Sequence, residues 1–210
     1  MRAPLLLAAV GLALAGCNNI AAPAVTNIYE FRDVEFGDTL TFHWPRSMLP
    51  VRVWVASDSP IRDNVETAIA RWQNATLYGE FRATLVADST TADIIVRNAP
   101  SDVGGGILSM APQCDGETDL DVDTNANTLT LPIHIFMFAV VADEIPGIPA
   151  CYSITMTHEL GHAIGLLVHS PDVGDVMYSN PMFDGISDRD RQTVTDLYHY
   201  PATLTITGRR

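Results

Sequence analysis

The run His158-Glu159-Leu160-Gly161-His162-Ala163-Ile164-Gly165-Leu166-Leu167-Val168-His169 restricts the fold of this chain more than any other stretch. On a helix, positions four apart differ by only about 40° around the axis, so His158 and His162 point the same way, one turn apart. Gly165 marks where the chain must leave that helix, because glycine alone turns there without strain. His169 can then come back towards the first two imidazoles. Three of the six histidines in the chain fall in this one span. Two neutral imidazoles one helical turn apart can share a zinc ion, and a third leaves one position for water. Glu159, next to His158, can take a proton from water and pass it to a leaving nitrogen, acting as base and then acid.

The run from His158 to Ser170 resembles the metzincin signature of zinc metallopeptidases, and within that clan the matrixin-like branch. Asp175-Val176-Met177-Tyr178 resembles its Met-turn, in which Met177 would lie beneath the metal ligands without binding. The run-in Ala150 to Thr157 and the closing Leu197-Tyr198 share the likeness, which covers roughly residues 50 to 200. The resemblance implies an α+β, zincin-like fold. That fold has a twisted mixed β-sheet, an active-site helix, a C-terminal helix and a cleft between upper and lower parts. It also implies a zinc endopeptidase with one catalytic zinc on His158, His162 and His169, and Glu159 as general base. A protein or peptide substrate would lie antiparallel to the edge strand, placed near Gly106 to Met110. The rival expectation is a catalytically inactive surface lipoprotein that uses the fold for binding.

The chain departs from the family pattern once. The third histidine usually stands three residues after the glycine; that position is Val168, and His169 comes one later. A bulged loop accommodates one extra residue. Asp172 competes as third ligand, although imidazole is the better match for zinc. Tyr178 is expected to shape the pocket wall or simply to pack. His134 reads as a satisfied strand residue, and His43 and His199 as surface residues. The acidic run Asp115, Glu117, Asp119, Asp121, Asp123 could offer oxygen ligands to calcium, but a solvated loop is the commoner meaning of such a run.

Residues 1–16 read as a signal peptide, with Arg2 as its basic start and Leu5 to Leu14 as an apolar stretch too short to span a membrane. Leu14-Ala15-Gly16-Cys17 resembles a bacterial lipobox, which would make Cys17 lipidated and the protein exported and membrane-anchored. Asn18 after the cysteine points to the outer membrane where an organism has one. Residues 17–48 read as the lipidated Cys and a tether, 49–201 as the peptidase domain and 202–210 as a tail. Cys114 and Cys151 can form one disulfide in an oxidising compartment, or remain as thiols. Twelve Arg, no Lys and 25 acidic residues give a formal charge of −13. That balance argues against nucleic acid or anionic lipid as a partner. The chain is taken as a monomer.

Alternation and helical spacing predict strands at 51–55, 81–86, 92–96, 107–110 and 129–138. They predict helices over 61–72, 153–167 and 188–198, the last capped by Ser187.

Overall fold

The computed structural model describes residues 27–33, 39–100, 115–139 and 148–208. Nine elements organise them: β1 (Val51–Trp54), α1 (Arg62–Ala75), β2 (Ala83–Leu85), β3 (Ile94–Pro100), β4 (Asp115–Asp123), β5 (Thr128–Ala139), α2 (Ile148–Ala163), α3 (Asp188–His199) and β6 (Thr205–Thr207). The strands form one mixed sheet in the order β2-β1-β3-β5-β4, with β6 pairing β5. Every described pairing is parallel except β4 with β5. The fold is therefore a mixed α and β architecture with one antiparallel strand at the sheet edge.

The sequence periods explain the faces. On β5, Leu129, Leu131, Ile133, Ile135 and Met137 are buried, while the residues between them are half-buried. This period of two puts one set of side chains under the helices. On α1, Val65, Ala68, Ile69, Trp72 and Ala75 are buried at helical spacing. That stripe packs against α2, where the Trp72 indole donates to Thr157 O at 2.7 Å. Residues 154 to 161 of α2 are buried without interruption, so this helix is enclosed on all sides. The stretch from His158 to Gly161 therefore lies within the core.

Four sequence expectations need correction. Residues 17–48 are not all tether: Tyr29, Phe31, Leu40, Phe42 and Trp44 belong to the core. Trp44 is 1% exposed and its indole donates to Ala163 O at 2.9 Å, at the end of α2. Residues 202–210 are not all tail, since Leu204 is buried and β6 extends the sheet. The acidic run is strand β4 rather than a loop, with Glu117, Asp119, Asp121 and Asp123 exposed. α2 stops at Ala163, four residues before the predicted 167, for a reason given below. Cys17, Cys114 and the strand expected at 107–110 lie outside the described residues, and the described edge strands are β2 and β4. Cys151 is disulfide-bonded.

If residues 40–44 are core, Trp44→Ala will cost about 3–5 kcal/mol, the range for deleting a buried aromatic. Chemical denaturation measures it. A loss below about 1 kcal/mol, typical of surface positions, would return the segment to the tether.

Candidate metal centre

α2 ends because Gly165 lets it. Leu166 N–H donates to Gly161 O and Gly165 N–H to His162 O, both at 3.0 Å. This is the paired closure of a helix on a left-handed residue, and Gly165 has φ +117°. A β-carbon there would also strike the Phe42 carbonyl oxygen. The turn brings Leu166 O to His162, whose Nδ1 lies 2.6 Å away. His158 Nδ1 lies 2.7 Å from Val176 O. A carbonyl oxygen only accepts, so each Nδ1 carries the hydrogen and each Nε2 carries a lone pair.

Those lone pairs converge. His162 Nε2 is 3.1 Å from His158 Nε2 and 3.2 Å from His169 Nε2. One ligand atom from each of the three lies within 4.8 Å of the others. His158 is buried, His162 half-buried and His169 exposed, so the cluster is closed at its base and open at one side. Burial pushes the His158 imidazole down to about 4 and His162 to about 3, with neighbouring imidazoles adding to both effects. Burial lowers His169 as well. All three are thus neutral donors at pH 7. Facing lone pairs repel unless a cation lies between them.

The segment after His169 is pinned on both sides. Ser170 N–H donates to Met177 O at 2.8 Å, and Ser170 Oγ bonds the Asp175 carboxylate. Asp175 also accepts from Ser187 Oγ at 2.7 Å. Asp172 is turned to other work: it accepts from Gly174 N–H at 2.9 Å and from Arg189 Nη2 at 2.6 Å. These two partners hold its carboxyl below the usual range. It stands outside the imidazole cluster, and His169 stands within it.

Met177 is fully buried, and a β-carbon on Gly161 would strike its sulfur. The methionine thus fills the space that glycine leaves between His158 and His162 on α2. Above it, Asp190 accepts from Val176 N–H at 2.9 Å, Ser187 N–H at 3.0 Å and the Tyr29 hydroxyl at 2.9 Å. Burial raises the Asp190 carboxyl, and these donors pull it back.

Glu159 is 5% exposed. Thr118 Oγ1, on β4, lies 2.8 Å from both Glu159 Oε2 and Glu159 O. Two residues away on the same strand, a β-carbon on Gly116 would come within 2.8 Å of Glu159 Oε1. Only glycine leaves room there for the carboxylate. Thr118, Gly116, Asp190 and Tyr29 were not singled out from the sequence. Of the remaining candidates, Tyr178 is half-buried beside Ser170, and His134 is half-buried on β5, stacked on Phe136. His43 is half-buried rather than on the surface, with Nε2 3.1 Å from Tyr200 O, and His199 is exposed. Among the described residues no other group of three or more His, Cys, Asp or Glu is placed to hold a metal. No protein-family model matches the chain, and no curated protein matches it.

Acid will act on the metal-free chain through this cluster. An unfolded histidine titrates near 6.5. Below that pH the unfolded chain takes up protons that folded His158 and His162 refuse. Stability is therefore unaffected above about pH 6.5 and falls as pH drops towards about 4. Thermal unfolding in chelator from pH 8 to 4 should show this fall, and His162→Phe should flatten it. A wild-type curve equally flat over that range would contradict the assignment.

Proposed function

We propose that the chain is a zinc-dependent endopeptidase of the metzincin, matrixin-like kind, built on a zincin-like fold and anchored outside the cell by a lipid on Cys17. The observation that carries this reading is the convergence of three Nε2 atoms, two of them on rings whose Nδ1 is already fixed by a backbone carbonyl. A tetrahedral zinc with bonds of about 2.0–2.1 Å needs nitrogens roughly 3.3–3.4 Å apart. The two measured separations, 3.1 and 3.2 Å, are close to that value. The donor set also fits in kind. It has three neutral imidazoles and no thiolate, each buried ring oriented by a backbone carbonyl. His158, His162 and His169 would hold the ion.

Zinc, when bound, supplies a Lewis acid that lowers the pKa of water to about 7 and polarises a carbonyl. The protein supplies the rest. Glu159 takes the proton of the attacking water and returns it to the departing amine. Thr118 fixes its carboxylate from β4, and Gly116 gives it room. β4 also flanks this base and is one of the two described edges of the sheet. An extended peptide laid along it would use main-chain hydrogen bonds for affinity and would pass Glu159. The open side at His169 gives a substrate access that a closed four-ligand structural site would deny.

Metal analysis and digestion of casein or a peptide library test this together. One zinc per wild-type chain is expected, kept by Asp172→Ala and lost by His169→Ala. Glu159→Gln should keep zinc and lose at least about a hundredfold in turnover. Zinc without cleavage by the wild type would instead identify a binding lipoprotein, and absence of zinc from metal-replete wild type would end the proposal.

Thr118 gives a finer test. Thr118→Val should keep zinc and KM and lower kcat about tenfold or more, the scale of one hydrogen bond to a charged group. Thr118→Ser should restore it. Unchanged kcat in Thr118→Val would show that the strand does not orient Glu159.

A further inference from the structure

We infer that the end of the domain where α3 begins rests on the bilayer that holds Cys17, through a cluster of exposed apolar side chains. This rests on the lipoprotein part of the proposed function, and not on the peptidase chemistry.

Among the described residues, seven large hydrophobic side chains are exposed. Six belong to segments tied to one region, the first turn of α3. Ile28 precedes Tyr29, whose hydroxyl donates to Asp190 and whose amide donates to Thr193. Val173 follows Asp172, which Arg189 holds. Leu77 and Tyr78 follow the end of α1, where Asn74 O accepts from Arg191 at 3.4 Å. Met182 and Phe183 precede Asp184, which pairs with Arg71 one turn earlier on α1. Four separate stretches of chain, each anchored at or beside the start of α3, thus carry these exposed apolar groups. The exposures are high: 73% for Leu77, 79% for Tyr78, 67% for Met182 and 56% for Phe183. On β4, by contrast, the exposed side chains are acidic.

Apolar groups left in water forfeit about 25 cal/mol for each Å² that could be covered, and such a cluster marks a contact surface. The occupant follows from where the chain enters the fold. Ile28 is itself part of the cluster, and Asn27 is only ten residues from Cys17 (27 − 17 = 10). Ten extended residues reach at most roughly 35 Å. A lipid on Cys17 therefore tethers the domain through this end, where Ile28 enters the fold. Tyrosine suits the level of the headgroups. The formal charge of −13 selects a neutral lipid surface over an anionic one. Val173, Met182 and Phe183 also lie between His169 and α3, so docking would hold the metal centre near the membrane. Its substrates would be membrane-proximal peptide segments.

The experiment uses the full, lipidated chain in vesicles of phosphatidylcholine whose acyl chains carry bromine, a short-range quencher of tryptophan. Phe183→Trp and Leu77→Trp place reporters in the cluster, and Asp121→Trp places one on β4. The expected result is loss of the added emission for the first two and none for Asp121→Trp. Two cluster positions guard against one variant misfolding. Equal emission at all three sites in vesicle-bound protein would overturn the proposal, since the tether would then hold the domain clear of the lipid. So would cluster reporters that are shielded by a second copy of the chain, seen as a dimer by sedimentation. A chain that carries no lipid and does not bind vesicles would also overturn it. Zinc content and casein cleavage, read on the same preparations, report separately on the peptidase reading.

Discussion

The backbone of Val176 joins the two halves of the candidate centre. Its N–H goes to Asp190 Oδ2 at 2.9 Å, and its carbonyl accepts from His158 Nδ1 at 2.7 Å. The N–H of this residue therefore faces the start of α3 and its carbonyl faces the imidazole cluster. Asp190 is wholly buried and gathers donors from Tyr29, Val176 and Ser187, so the N-terminal segment, the Met177 turn and α3 meet on one carboxylate. A buried charge of this kind is tolerated only when it is well supplied with donors, and loss of any of them leaves an unpaired polar group in the core. The rotamer of His158 depends on this arrangement although none of its members is near it in sequence.

A second constraint acts from within α2. His162 takes its orientation from Leu166 O, which is where it is because the helix closes on Gly165. Phe42 leaves no room for a side chain at that point. So the segment expected to be a tether shapes the exit of α2, and the His158 and His162 imidazoles are both aimed by backbone carbonyls set by tertiary contacts.

These contacts mark the boundary of what the sequence made legible. His158, Glu159, His162, Gly165 and His169 are close in sequence: helical geometry aligns His158 with His162, and the turn at Gly165 lets His169 return to them. The long alternating strand β5 and the Ser187 start of α3 are local patterns too. Thr118, Gly116, Asp190 and Tyr29 reach the site across 41, 43, 14 and 161 positions respectively, counted from Thr118 and Gly116 to Glu159, from Asp190 to Val176 and from Tyr29 to Asp190. No periodicity announces such pairs. The core role of residues 40–44 is different, because Leu40, Phe42 and Trp44 alternate with polar residues as a buried extended segment does. That signal was present, and the surrounding irregular stretch obscured it. The acidic run on β4 misled in a related way: alternating charges describe one face of an edge strand as well as they describe a loop.

Burial of Glu159 bears on how the proposed peptidase would work. A carboxylate that is 5% exposed has little freedom to search for its water, so its geometry must be set in advance. β4 does this with one hydroxyl and one glycine. Thr118 has a single proton and two acceptors at 2.8 Å, the carboxylate and the backbone carbonyl of the same residue. It can release the carboxylate towards a substrate and remain hydrogen-bonded to the carbonyl, so departure leaves no unpaired hydroxyl behind. The strand that would carry the substrate is then also the strand that steadies the base. A peptide that draws β4 out of place would misalign Glu159 as it binds, and one that fits the edge would find the base already aimed. Discrimination between peptides would then show in turnover as well as in affinity, which is how binding energy is used when it supports the transition state.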